Sequence, residues 1–398
     1  MIFRIQYAII LFSGLSAIAS QGQSKSKKQW YKGNLHTHSY WSDGDEFPEM
    51  IMHWYKSNKY DFIALSDHNI LADGDKWITV AKSKLYEDSF QKYLSKFGDQ
   101  WVVHNMDSGR INVKLKTLKE YKPLFADQSF LIIQSEEITD KAEGKLIHMN
   151  ATNVQKLIAP AGAATVTETM QRNVDAVLQQ RKETGVPMFP HINHPNFFYA
   201  ITPQNIIDLH GERFFEVYNG HPLVHNYGDS LHPGTEKMWD MINTAYYEKR
   251  QPLLYGLGTD DSHNYHQFGA AYANAGRGWV MVNAKSLSAA DLIDAMEAGK
   301  FYASTGVVLN DVEFSNNILS VKIKSEPQVQ YKIEFIGLEV GSKEVKVLQE
   351  IKNNVATFSV TPKLAFVRVR ITSSKSKPNP YQEGDFEMAW TQPVSFEK

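Results

Sequence analysis

The chain contains no cysteine. This excludes a disulfide scaffold, thiolate metal sites, a cysteine nucleophile and a lipid-modified N-terminal cysteine. Any bound metal must be held by His, Asp and Glu, which favours zinc, manganese or iron over thiolate-selected metals. An excess of one charge is missing too: 42 Lys and Arg against 44 Asp and Glu leave a formal charge of −2. No basic footprint follows, so a nucleic-acid polymer is not an expected partner and a small-molecule substrate is. Beyond the N-terminus, no apolar run approaches the length of a membrane span.

The N-terminus itself reads MIFRIQYAIILFSGLSAIAS, with Arg4 ahead of an apolar run that ends in Ala17-Ile18-Ala19. A cation, a short apolar stretch and a small-x-small site describe a signal peptide over residues 1–20, cleaved near Ser20. The expectation is an exported chain, periplasmic or secreted, with no membrane span after cleavage.

What is present is ample core material: 398 residues, 42% of them hydrophobic. That length suggests one large domain and a smaller one. Short apolar strand candidates fall at Gly33–Leu35, Phe62–Leu65, Phe130–Gln134, Leu146–Asn150, Pro187–Phe189, Phe214–Tyr218 and Leu253–Gly256. Runs of this kind fit strands buried on both faces of a parallel sheet. Helical patterns lie between them, beginning at Pro48, over Thr165–Lys182, and over Ala289–Ala298 with Ser288 as N-cap. Alternating strands and helices make an α/β fold, either a doubly wound sheet or a barrel. Residues 72–128 exceed one crossover and read as an insertion beside the site. From 311 to 398 the pattern changes to period two, as in Tyr331, Ile333 and Phe335 and again in Val367, Val369 and Ile371. This predicts a small all-β, sandwich-like domain whose strands keep one wet face, with turns at Gly341-Ser342 and Asn353-Asn354.

The histidines and acids carry the functional signal. His36 and His38, His68, Glu136-Glu137, His148, His191 and His194, Glu216, and Asp260-Asp261 with His263 fall at successive strand ends, and Asp43 follows the first. Strand ends of a βα barrel converge on one mouth, and alternate residues such as His36 and His38 share a face. Carboxylates that can bridge ions, together with neutral imidazoles, suit a multinuclear divalent-metal centre.

Taken in order, HTHSYWSDG, SDHN, SEEIT followed by GKLIHMN, NHP and DDSH resemble the motifs of the polymerase and histidinol phosphatase (PHP) family over about residues 30–306. The resemblance implies a distorted seven-stranded (β/α) barrel ahead of the C-terminal β domain, so that the barrel spans 21–310. It implies two or three divalent ions held by His36, His38, Asp43, His68, Glu137, His148, His194, Asp261 and His263. Glu137 is preferred to Glu136 because the family's glutamate precedes an aliphatic-plus-hydroxyl pair, and Asp261 is preferred to Asp260 by the Asp-x-His form. Asp67 is expected to orient His68.

The expected activity is metal-dependent hydrolysis by an activated water, first of a phosphoester such as a small-molecule, nucleotide or sugar phosphate. The alternative is a carbamate, ester or amide, and a non-catalytic surface- or glycan-binding protein ranks last. His191, Asp260 and His266 are candidates to protonate the leaving group. Arg277, in Gly276-Arg277-Gly278, is the candidate cation for an anionic substrate.

Overall fold

The computed structural model describes residues 29–397, so the expected signal peptide lies outside the described residues. The first half of the chain runs β1 (Gln29–Asn34), α1 (Pro48–Ser57), β2 (Phe62–Leu65), β3 (Trp77–Thr79), α2 (Lys84–Phe97), β4 (His104–Asp107), β5 (Arg110–Lys114), α3 (Leu118–Phe125), β6 (Leu131–Ala142), β7 (Lys145–Thr152), α4 (Val166–Thr184) and β8 (Phe189–Ile192). It continues through α5 (Pro203–Ile207), β9 (Phe214–Asn219), α6 (Thr235–Lys249), β10 (Tyr255–Thr259), β11 (Trp279–Ala284), α7 (Ala289–Glu297) and β12 (Phe301–Ser304). The remainder is strand only: β13 (Leu309–Ser315), β14 (Ile318–Ile323), β15 (Tyr331–Glu339), β16 (Val345–Lys352), β17 (Val355–Ser359), β18 (Leu364–Ser376) and β19 (Phe386–Thr391).

Thirteen strands form one sheet in the order β10-β9-β8-β7-β6-β2-β1-β11-β12-β19-β18-β15-β16. The sheet is mixed, which departs from the parallel sheet expected. β1, β2 and β6 are parallel, as are β8, β9 and β10, but β7 runs antiparallel between β6 and β8. The cause is local. Glu143 and Gly144 both have positive φ, 53° and 74°, and two such residues make the tight turn that suits a hairpin. No crossover helix can fit in two residues.

The sheet rolls up without closing its ladder. Phe62, Ile133, Phe189, Phe214, Leu257, Val280 and Phe301 pack into one buried cluster, so β10 shares a core with β11 and β12. A single bridge, Thr37 to Ser262, joins the two sides near the mouth. Helices cover the outer face. Val166, Met170, Val174 and Val177 of α4 recur at helical spacing and are buried. The expected cap of α7 is present, with the Ser288 side chain accepting from Asp291 N, and Thr165, placed by its sequence inside α4, instead caps it by accepting from Glu168 N. Helix α6, whose N-cap Gly234 offers no side-chain cap, was not evident in the sequence. Residues 72–128 hold a separate three-stranded sheet, β3-β5-β4, together with α2 and α3.

The C-terminal strands do not stand apart, because β12 pairs with β19 and extends the same sheet. The sheet β13-β14-β17 packs on that extension through Leu319, Val321, Ile333, Phe335, Val367 and Val369. The face expected to be wet is partly covered by α6. Arg368, 1% exposed, makes a bidentate pair with Asp240 at 2.9 Å and lies 2.9 Å from Glu236.

The β18–β19 connection reaches the end of β9 and the turn before β11. Lys377 Nζ donates to the Tyr218 hydroxyl at 2.6 Å and to Arg277 O at 3.1 Å, while Tyr381 donates to Val224 O. Burial lowers the Lys377 pKa from 10.5 to about 7. Between those values the unfolded chain binds more protons than the folded one, so stability rises with pH across that window. Lys377→Met should flatten this rise. Denaturation midpoints at several pH values test it, and an unchanged slope would contradict it. Among the described residues no helix is long and apolar enough to cross a membrane.

Candidate metal centre

Side-chain alternation stacks the inner face of the rolled sheet in layers. Phe189 and Phe214 belong to an apolar floor. Two residues further along the same strands, His191 and Glu216 face inward and are fully buried. The histidine and carboxylate cluster sits next to them. His36 and His38 follow β1 with rings 5.1 Å apart. Glu137 faces the cluster from β6, whereas Glu136 points away and accepts from Ile158 N at 2.7 Å.

At the end of β10 the two aspartates part company. Asp261 has φ +50°, uncommon for a residue with a side chain. Its carboxylate lies 3.2 Å from both His36 Nε2 and His38 Nε2. Asp260 accepts from Tyr55 and from the backbone N–H groups of Gly276, Arg277 and Gly278 at 2.6–2.9 Å.

All nine residues named by the motif resemblance meet here. Glu137 Oε2 is 3.2 Å from His36 Nε2, 3.2 Å from His38 Nε2 and 3.1 Å from His68 Nδ1. Its other oxygen is 3.1 Å from His148 Nδ1 and 3.5 Å from His194 Nε2. At the rim, Asp43 lies 3.4 Å from His263 Nε2 and 3.5 Å from His68 Nε2. The atoms fall into overlapping groups compatible with metal binding: His38, Asp43, His68 and His263; His36, His38 and Asp261; His36, Glu137 and His194; and His68, Glu137 and His148.

The donor set fits divalent ions. His36 Nε2, His38 Nε2 and Glu137 Oε2 are buried without a hydrogen-bond partner among the described residues, a costly state for polar atoms unless something fills the space between them. Edges of 3.2 Å approach the ~3.3 Å between ligand atoms that tetrahedral bonds of ~2.0–2.1 Å produce. Electrostatics agree. Burial raises the Glu137 and Asp261 carboxyls, yet the surrounding histidines outweigh it and hold both well below the ordinary range. Burial pulls His36 down, and Asp261, Glu137 and Glu216 override it, leaving its pKa well above the ordinary value. A cation would replace the protons that otherwise balance these carboxylates.

Polar partners around the cluster fix the imidazoles. Glu216 accepts from His36 Nδ1 at 2.7 Å, Thr259 at 2.8 Å, His194 N at 2.8 Å and Asn219 at 2.8 Å. This turns the His36 Nε2 lone pair towards the cluster. Asn193 donates to Glu137 at 2.7 Å, and His263 Nδ1 donates to Asp261 O at 2.9 Å. The sequence placed Glu216 at a strand end without giving it a role, and Asn193 and Asn219 went unnoticed. The one available signal was an Asn beside His194 in Asn193-His194-Pro195. Glu216→Gln should weaken metal binding about 10–100-fold. Chelator competition measures it, and unchanged affinity would contradict the orienting role.

Several expectations are corrected. Asp67 does not orient His68; it accepts from Ser39 N at 2.8 Å and the Ser42 hydroxyl at 2.6 Å, steadying the loop that carries Asp43. The His68 ring instead contacts Thr139. Arg277 is fully buried, with its guanidinium donating to Gly220 O and Gly269 O at 2.7 Å and to Asn379 at 3.2 Å. It is therefore not presented to a substrate. None of the three leaving-group candidates faces open space over the cluster. Asp260 anchors the turn around Arg277, and His191 is sealed beside Glu216 at 3.4 Å. His266 contacts Asp45 O at 2.8 Å and Ser89 at 3.2 Å. A separate cleft of about 680 Å³, between β10–β12 and the C-terminal strands, contains none of the clustered residues.

No family profile matches the sequence, and no curated protein matches it. Among solved structures, the chain is similar to a two-domain protein from Bacteroides vulgatus described as containing a predicted PHP-like metal-dependent phosphoesterase. That pair shares 15% identity over 94% of this chain and 98% of the other, with a TM-score of 0.42. It is also similar to a putative metal-dependent phosphoesterase from Bifidobacterium adolescentis, at 12% identity over 59% of this chain and 88% of the other, with a TM-score of 0.28. A third is an amidohydrolase from Chromobacterium violaceum with bound sulfate and no metal, at 12% identity over 58% and 87% and a TM-score of 0.28. What the site can do rests on its own geometry.

Proposed function

We propose that this chain is an exported, metal-dependent hydrolase of a small-molecule phosphoester. One observation carries the reading: Glu137 presents both carboxylate oxygens to buried imidazole nitrogens, and two of these, His36 Nε2 and His38 Nε2, have no hydrogen-bond partner among the described residues although Asp261 also faces them. Glu137, shared between two sets of imidazoles, would help hold divalent ions in both. Bound ions supply an activated water and neutralise charge on the substrate oxygens. His36, His38 and Asp261 form the buried side of the site, and Glu216 holds His36 in the tautomer that leaves Nε2 free. Asp43, His68 and His263 form the rim, where a substrate enters.

The second reading, hydrolysis of a carbamate, ester or amide, is favoured by Arg277. A phosphate clamp needs an available guanidinium, and this one is sealed against backbone carbonyls. Metal-loaded protein assayed on an aryl phosphate monoester, an aryl phosphodiester and an aryl carbamate separates the two. Phosphoester turnover abolished by Asp261→Ala is expected. Turnover of the carbamate alone would replace the first reading with the second, and inertness towards all three would reject both.

A further inference from the structure

One wall of the mouth is aromatic. The Phe197 ring lies 5.9 Å from His148, 5.0 Å from His194 and 5.7 Å from His221. Phe198 packs 4.6 Å from Phe197 yet is 62% exposed. Its backbone is left-handed at φ +49°, and Tyr199 follows at +52°. Two successive bulky residues hold this disfavoured conformation only when their surroundings enforce it. Here ring stacking does so, with Tyr199 parallel to His225 at 4.8 Å and to His232 at 3.9 Å. A bridge from Phe197 to Val224 ties the turn to the loop carrying His221.

His221 has a fixed tautomer. Its Nδ1 accepts from Leu223 N at 3.2 Å, so Nε2 carries the hydrogen. The ring stands edge-on to His263 at 5.3 Å, beside the metal-binding groups. A neutral N–H donor and an exposed phenyl ring thus both neighbour Phe197, which itself lies against His148 and His194, while Arg277 points elsewhere.

Resting on the hydrolase reading, we propose that Phe197, Phe198 and His221 form a substrate subsite that takes an aryl group attached to the reacting centre. His221 Nε2–H donates to an oxygen of that centre, and the substituent's ring lies against Phe198. Apolar area that the turn holds in water is covered only when such a ring is bound.

Phenylphosphonate and methylphosphonate test this in metal-loaded full-length protein, because they share an anionic head and differ in the ring. Calorimetry should give about tenfold tighter binding of the phenyl compound to wild type. Phe198→Ala should erase that preference, with methylphosphonate affinity and metal content unchanged. His221→Leu should weaken both compounds by about the same factor, and His221→Gln, which keeps a donor, should restore binding in part. Equal affinities in wild type, or a preference that survives Phe198→Ala, would overturn the subsite. These are binding readouts. A protein that shows the pattern without hydrolysing any ester would reject the hydrolase reading alone. One that turns over aryl and alkyl esters equally, and binds both phosphonates equally, would reject the subsite alone.

Discussion

Glu137→Gln is expected to strip the centre of tightly bound metal and to lower hydrolysis by about 10³-fold or more. Loss of an outer partner of a metal ligand typically costs about 10–100-fold, and Glu137 is not an outer partner. Both of its oxygens face imidazole nitrogens, at 3.1–3.5 Å, on opposite sides of the site. An amide at this position removes the negative charge and offers N–H donors where lone pairs are required. The adjacent Glu136→Gln is the matched control. It accepts from Ile158 N outside the cluster, so metal content and turnover should persist. Elemental analysis and initial rates on the two variants read the difference. Equal behaviour would show that position 137 has no special place in the centre.

The largest effect on stability is expected at Arg368. Its guanidinium is buried between Asp240 and Glu236 and lies over the Trp239 ring at 4.9 Å. Beside it, Arg370 pairs with Glu334 at 2.8 Å and Glu236 at 3.2 Å. Arg368→Met would leave Asp240 and Glu236 facing an apolar side chain. Removing one partner of a buried pair costs about 3–5 kcal/mol, because the charge left behind has no compensation. Replacing the partner as well, in Arg368→Met with Asp240→Leu, should recover part of the loss. Urea midpoints of the two variants check both statements. A single variant as stable as wild type would mean that the network does not fasten β18 to α6.

Much of the α/β sheet was legible because buried strands are short apolar runs, and their C-terminal ends carried the histidines. β11 and β12 were missed although Trp279–Ala284 and Phe301–Ser304 are apolar, because no ligand follows them to draw attention. The antiparallel β7 was hidden by its turn. Glu143-Gly144 is a weaker hairpin signal than Asn-Gly, and strand direction leaves no trace in hydrophobicity. The wet face assigned to β18 was misread for a different reason. Alternation identifies which residues share a face, but not that a helix bearing Asp240 and Glu236 will dock on it.

At the site, side chains two apart in the extended segment after one strand were legible, since period-two geometry puts His36 and His38 together. Roles set by long-range contacts were not. Asp260 and Asp261 are neighbours whose carboxylates diverge because of one left-handed residue. The fate of Arg277 depends on Gly220, Gly269 and Asn379, three segments that only the fold brings together. Glu216 acts through His36, 180 positions away.

The most direct test of the metal centre is the metal stoichiometry of full-length wild-type protein after exposure to manganese, iron or zinc and removal of loosely bound ions. At least two tightly held ions per chain are expected, with loss of binding in His36→Ala and Asp261→Ala. Fewer than one ion per chain under every loading condition, or equal binding by wild type and both variants, would contradict the account.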